Sequence, residues 1–269
     1  MEWSREASDA VSRAPFFVRK RIRKRVEEEA RRQGARAVSL AHVRAAQQKY
    51  LQSMEREVKG YRLEACFGQS GCPNRVLDST SLMDRLKRLL DAKDFLAFLK
   101  SRVEGPLKFH HEFRVILADC PNACSRPQIV DIGIIGAQKP TLAEGECTGC
   151  GACVEVCQEG AFSLEPGSFI VNWHRERCVY CGQCLAACPS GALQAQVTGY
   201  RLLLGGKLGR HPQLGRELPG ILDEDQVVRV VERCVDAYMA EPVDRFSRFG
   251  EFLNRTDWEK FLPNTLGLT

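Results

Sequence analysis

Twelve of the thirteen cysteines fall into patterns suited to holding metal clusters. Eight form two runs, Cys147-x2-Cys150-x2-Cys153-x3-Cys157 and Cys178-x2-Cys181-x2-Cys184-x3-Cys188, with twenty residues between them. This is the rhythm of a cassette that binds two 4Fe–4S clusters. Three thiolates two residues apart wrap three corners of one cubane, and the fourth then points to the other cluster. The spacing therefore assigns Cys147, Cys150, Cys153 and Cys188 to one cluster, and Cys178, Cys181, Cys184 and Cys157 to the other. The repeat extends into matched turns, Glu159-Gly160-Ala161-Phe162 and Ser190-Gly191-Ala192-Leu193. Pro189 follows the second run, whereas Gln158 stands after the first, a departure that removes no ligand. Structural zinc is usually held by two separated C-x2-C hooks, not by two sets of four at this rhythm. The chemistry implied is one-electron transfer at low potential.

Four more cysteines lie upstream: Cys66-x5-Cys72-Pro73, and Cys120-Pro121-Asn122-Ala123-Cys124-Ser125-Arg126, with forty-seven residues between the pairs. Each pair alone is a weak signal, and only a fold can bring them together. Beside a two-cluster cassette they read as the ligands of a third 4Fe–4S cluster, with a lone zinc site or free thiols as the blander alternatives. The thirteenth, Cys234, lies on a helical face and reads as a small buried hydrophobe.

The rest of the composition narrows the setting. An odd cysteine count argues against a closed disulfide framework, and clustered thiols suit a reducing compartment. No stretch approaches the roughly 18 apolar residues of a membrane span, and the N-terminus has no apolar leader core, so a cytoplasmic location is expected. The net charge of +5 is unevenly spread, with +7 on residues 1–60 and −2 on the remainder. A basic N-terminal region suits an acidic partner or a polycarboxylate cofactor, or is simply a solvated helix face. Nucleic acid fits only that charge, and the aromatic interleaving it would want is missing.

The elements that must position these cysteines are legible in outline. Residues 1–15 form a lead-in ending at Pro15. A helix is expected from Phe16 to about Gln33, with Phe17, Ile22, Val26 and Ala30 on its apolar stripe and Gly34 at its end. A second, capped by Ser39, runs to about Lys59. Residues 61–79 read as a ligand loop, and Ser81 to about Lys100 as a helix that Asp91 breaks. Strands are expected over Phe109–Ala118, Gln128–Gly136 and Tyr200–Leu204. Asp223 caps a helix to about Ala240, with Gln226 in capping-box position. Short helices close the chain around 246–253 and 257–262. The fold class is α+β. Its domains are a basic helical unit (1–58), a core domain (59–139 and 196–269) and the cluster cassette (140–195) inserted into it.

These segments carry a family resemblance. The two upstream cysteine pairs, followed by Ile132-Gly133-Ile134-Ile135-Gly136, resemble the sirohaem and 4Fe–4S segment of sulfite and nitrite reductases. Gly205-Gly206-Lys207-Leu208-Gly209-Arg210-His211-Pro212 resembles the loop that follows in that domain. A bacterial-type ferredoxin inserted at this point is similar to subunits of dissimilatory and anaerobic sulfite reductases. The resemblance covers about residues 60–255. It implies an oxidoreductase that reduces sulfite, nitrite or a similar small oxyanion, fed by the ferredoxin clusters. It also implies sirohaem, with Cys124 as the thiolate bridging cluster and haem iron. Cationic side chains would hold the anion and deliver protons, and the candidates by position are Arg62, Arg75, Arg126, Lys207 and Arg210. Arg75, Lys207 and Arg210 are candidates for the sirohaem carboxylates as well. His110, His111 and His211 are read as structural.

Family enzymes enclose sirohaem between two pseudo-symmetric halves, and this chain has one. Either a homodimer or a partner subunit completes the pocket, or the haem is absent and the chain is a three-cluster relay docking to a redox partner. Trp3, Pro15-Phe16-Phe17-Val18-Arg19 and the basic helix are similar to the small C-terminal domain of light-independent protochlorophyllide reductase subunits. That likeness opens a third reading, a protein that reduces or binds a tetrapyrrole.

Overall fold

The computed structural model describes residues 1–143, 147–165, 171–242 and 246–256. The chain divides into two units, one of Met1–Lys59 with Leu99–Glu112, the other of Gly60–Phe98 with the chain from Phe113 onward.

The first unit is helical. Two-residue strands β1 (Glu2–Trp3) and β2 (Ala37–Val38) pair in parallel beside helices α1 (Arg5–Ser12), α2 (Phe16–Arg32) and α3 (Leu40–Glu57). The expected lead-in is thus partly helix. Its start signal is Ser4, whose hydroxyl accepts from the Ala7 N–H at 3.3 Å. Gly34, at φ +68°, follows the end of α2, and the Ser39 amide donates to His42 Nδ1 at the start of α3 (3.0 Å). Ala7, Val26, Ala30 and Val38 form a small core. Glu29 is buried beside it and is held by Lys49 at 2.7 Å. Phe17, expected on the apolar stripe, is instead 71% exposed and lies edge-on to exposed Phe16. One residue further on, Val18 joins Ile22 and Val26 in lining an apolar groove with Val11 and Val43. Arg21, Arg25 and Tyr50 also line it, the Arg25 guanidinium lying 5.0 Å from the Tyr50 ring centroid.

The second unit is built on a five-stranded sheet of order β3-β4-β5-β8-β9. Strands β3 (Tyr61–Ala65), β4 (Phe113–Ala118) and β5 (Ile132–Leu142) are mutually parallel, while β8 (Leu193–Leu204) runs antiparallel to β5 and β9 (Arg216–Glu217) antiparallel to β8. Alternate residues Val115, Leu117, Ile132, Ile134, Leu202 and Leu204 face a core closed by α4 (Thr80–Asp91), α8 (Glu224–Ala240) and α9 (Phe249–Arg255). α4 contributes Leu82, Leu86 and Leu90, and α8 contributes Val227, Val231, Cys234 and Tyr238, one stripe each. The Asp223–Gln226 capping box is present, and Cys234 is fully buried as expected.

Several boundaries move. The expected ligand loop opens with strand β3. The strand expected from Phe109 starts at Phe113, because Phe109–His111 form a 3₁₀ turn. The expected long helix divides into α4 and α5 (Phe95–Arg102), with Asp94 capping the second through the Ala97 N–H (2.9 Å). The helix expected around 246–253 is α9, and the one around 257–262 lies outside the described residues. The largest shift concerns β5 and β8. Both run on into the expected cassette, pairing as far as Leu142 with Leu193 across a register shift at Lys139/Pro140. Between them lie α6 (Ala152–Val156), α7 (Gln183–Ala187) and the hairpin of β6 (Phe162–Leu164) with β7 (Val171–Trp173). No helix among the described residues is long and apolar enough to cross a membrane.

Candidate metal centres

The cassette thiols sort into two sets around two small, partly open cavities. Cys147, Cys150, Cys153 and Cys188 line one, and Cys157, Cys178, Cys181 and Cys184 line the other. Each is the crossed set that the spacing assigns. The crossing is visible at Cys184, whose pKa is pushed up to about 12 by burial first and then by Cys178, Cys181 and Cys157. Burial likewise raises Cys153, with Cys147 and Cys150 adding to it. Cys188 moves the other way, held low by the Leu193 backbone N–H and by Ser190 and Ala192. Cys157 accepts from the Ala161 N–H at 3.2 Å. Among the described residues no three His, Cys, Asp or Glu side chains converge as a single ion would require. The thiols frame space instead, and the short helices α6 and α7 start at left-handed Gly151 and Gly182 beside it. Four thiols around an apolar cavity, with N–H groups aimed at sulfur, fit a 4Fe–4S cluster at each set.

The upstream cysteines also come together. Cys66 follows β3 and Cys120 stands two residues past β4, at the same ends of neighbouring parallel strands. The Cys66 N–H donates to Leu117 O (3.0 Å), so the first pair is tied directly to β4. Burial raises the Cys120 pKa, and Cys66, Cys72 and Cys124 stand close enough to raise it further. Cys66 Sγ accepts from the N–H groups of Gly68 and Asp119, both at 3.3 Å, and Cys124 Sγ from Asn122 Nδ2 at 2.9 Å. Cys120 is buried while Cys124 is exposed. Ala123, Arg126 and Tyr180 are the non-glycine residues of left-handed φ among the described residues, and each lies within two positions of a candidate ligand. Backbone strain collects where the chain must aim a thiol.

Asp119 has no place in the sequence patterns above. It is fully buried, and one carboxylate oxygen accepts from the Ser79 hydroxyl while the other has no partner among the described residues. Burial raises its pKa. A carboxylate next to a ligand cysteine was the available signal, but its burial depends on α4 and the Cys66 loop. A Cβ at Gly68 would fall 2.1 Å from Asp119 Oδ2. Gly68→Ala is therefore expected to cost about 1–3 kcal/mol. The measurement is the thermal midpoint of anaerobic protein, with the cassette clusters unchanged by absorbance.

The candidate basic residues are mostly engaged. Arg62 lies 3.4 Å from Glu64, and Arg75 lies 3.4 Å from Asp78. Lys207 is nearly buried and pairs with Glu251 at 2.9 Å. Arg126 occupies its left-handed position two residues past Cys124, and Arg210 is exposed in the turn between Lys207 and Gln213. The glycines of this loop serve packing as well. A Cβ at Gly206 would stand 2.4 Å from Gln128 O, so side-chain-free backbone is required there. His110 and His111 stack edge to face, and His211 is exposed.

Comparison with known proteins adds an independent line. Residues 61–266 match the family model described as the nitrite and sulphite reductase 4Fe-4S domain, and residues 3–47 match that of the proto-chlorophyllide reductase 57 kD subunit. The chain is 35% identical over 200 residues to the coenzyme F420-dependent sulfite reductase of Methanocaldococcus jannaschii, covering 74% of this chain and 29% of that protein. It is 27% identical over 155 residues to one of the subunits of the anaerobic sulfite reductase of Salmonella typhimurium, covering 51% of this chain and 41% of that one. It thus spans less than half the length of either relative. Dissimilatory sulfite reductase I superposes with a TM-score of 0.51 at 19% identity, over 82% of this chain and 57% of that one, a likeness of fold.

Proposed function

The chain belongs to the nitrite and sulphite reductase 4Fe-4S domain family, and we propose that it is an iron–sulfur oxidoreductase acting on sulfite, nitrite or a similar small oxyanion. The two cassette thiol sets would hold the clusters at which electrons enter, and Cys66, Cys72, Cys120 and Cys124 would hold a third that receives them. The observation that carries this reading is the pairing of a buried Cys120 with an exposed Cys124 in one ligand loop. Three thiols can hold a cluster inward while the fourth presents its sulfur to a second group outside.

That second group, in this reading, would be sirohaem, held at the exposed Cys124 thiolate, and it would supply the metal chemistry for oxyanion reduction. The chain's own part is to hold Cys124 in place, to neutralise carboxylates and to bind the anion. Arg126 is the best placed cation, since its backbone is held two residues past Cys124. Arg210 can reach a carboxylate from its exposed turn, whereas Lys207 serves by keeping Glu251 paired and the glycine loop closed. Arg62 and Arg75 would exchange their partial surface pairs for the anion, a small cost for exposed pairs. A second copy or a partner subunit completes the far wall of the pocket.

The test is an anaerobic absorption spectrum with an iron count, on protein made in a sirohaem-producing host. Soret and charge-transfer bands, with sulfite- or nitrite-dependent oxidation of reduced methyl viologen, are expected. A purely iron–sulfur spectrum with about twelve irons per chain would instead identify a haem-free relay for a partner reductase.

The N-terminal groove favours one further reading, a tetrapyrrole site in the first unit. Its apolar floor with Arg21 and Arg25 alongside suits a flat macrocycle bearing carboxylates. Binding of a porphyrin dicarboxylate that disappears in R21E/R25E supports it, and undiminished binding removes it.

A further inference from the structure

Strand β5 touches all three cysteine sites in turn. Its last pairing with β4 is Ile135 with Ala118. One residue on, Gly136 lies against the Asp119 backbone, where a Cβ would stand 2.6 Å from Asp119 O. Cys120 is the next residue of that segment. Past this point β4 no longer occupies the lane beside β5, and the cassette fills it. The Gln138 N–H donates to Tyr180 O at 2.8 Å, and Gln138 forms a parallel bridge with Cys181. Gly182 closes over the Gln138 side chain, its absent Cβ only 2.4 Å from Oε1. Pro140 then lines the cavity of the Cys178 set. Leu142 lines the cavity of the Cys147 set, and Ala143 N–H donates to Ala192 O there at 2.8 Å.

From these contacts we infer that β5 is a ruler fixing the order of electron flow, with the cluster of Cys157, Cys178, Cys181 and Cys184 as the obligatory middle station. At about 3.3 Å per strand residue, Gly136 and Gln138 are about 7 Å apart and Gly136 and Leu142 about 20 Å. Electron transfer falls steeply with separation, so the Cys147 set is the point of entry and the Cys120 set the point of exit. Each step moves one electron and no proton. A low-potential one-electron donor of the reduced-ferredoxin class is oxidised at the entry, and each site is reoxidised as the next is reduced. Gln138 is a positioning residue, tying the Cys181 loop into the vacated lane through its backbone N–H. This inference rests on the third cluster proposed above.

The test uses full-length, anaerobically purified protein reduced with dithionite, read by electron paramagnetic resonance rather than by activity. Removing the Cys147-set cluster (C150A/C153A) should leave spin–spin splitting between the remaining two. Removing the Cys178-set cluster (C181A/C184A) should abolish splitting and leave two isolated spectra. Gln138→Pro deletes the tethering N–H and should keep the iron count while weakening the splitting between the middle site and the Cys120 site. Splitting that survives C181A/C184A would overturn the order, because the Cys147 set would then neighbour the Cys120 set. An iron count of about eight, with splitting confined to the cassette, would overturn the third cluster itself and the order with it.

Discussion

Cys120→Ala is expected to lower the iron content of anaerobically purified protein from about twelve to about eight atoms per chain, with oxyanion reduction abolished. Among the four upstream thiols Cys120 is the buried one, packed where Asp119 is locked by Ser79 and where Cys66 receives the Asp119 N–H. Its burial keeps an outside ligand from taking the place of its sulfur, so the cluster is lost rather than re-ligated. The cassette has its own cysteines and its own apolar cluster around Phe162, Val171 and Leu193, so its clusters stay. Iron analysis and reduced-state paramagnetic resonance read both halves of the result. Retention of about twelve irons with an unchanged spectrum would show that Cys120 is not a ligand of the third cluster, and a wild-type count of about eight would show that the site holds none.

The second large effect concerns the crossed ligands. Cys157 is the last cysteine of the first run in sequence but lines the cavity of Cys178, Cys181 and Cys184. C157A and C184A therefore damage one cluster, and C157A/C184A should lose up to about four irons in total. C157A/C153A strikes both cavities and should lose up to about eight. The two double variants remove equal numbers of thiols, so the difference reports pairing and not cysteine count. A reversed result, with C157A/C153A losing about four irons and C157A/C184A about eight, would mean that each run ligates its own cluster, contrary to the geometry. Removal of a ligand from a shared site is non-additive for the same reason that any two residues of one unit are.

Much of the centre was legible in the residues because its determinants are local. Thiols two and three residues apart can reach only certain corners of a cubane, so Cys147 through Cys188 carried their own assignment. Helix α8 was equally readable, since Asp223, Gln226 and a stripe from Val227 to Tyr238 agree on one answer. The basic residues were not. Lys207 and Glu251 are forty-four positions apart, and no pattern in either segment announces the other.

The strands explain the remaining differences. β5 ends in Gln138-Lys139-Pro140-Thr141-Leu142, and β8 begins with Gln194, Gln196 and Thr198 among its residues. The β5 stretch lacks the alternation of a half-buried strand, whereas Leu193, Ala195 and Val197 alternate with Gln194, Gln196 and Thr198, a strand signal masked by the neighbouring cysteine run. Their extensions are held by pairing with each other and by the Tyr180–Cys181 segment, contacts that exist only after folding. β3 does alternate, with Tyr61, Leu63 and Ala65 on its inner face and Arg62 and Glu64 outward, but it is only five residues long beside a Gly- and Pro-rich loop and is ordered by its register with β4.

By itself the amino-acid sequence determined how the cassette thiols divide into two sets and that the fold is α+β, because ligand spacing and helix periodicity act over a few residues. Only the tertiary structure decided that Cys66, Cys72, Cys120 and Cys124 meet, that Cys124 faces outward, and that one strand lines up all three sites. Those are matters of strand register and side-chain burial between distant segments, which no pattern within either segment specifies.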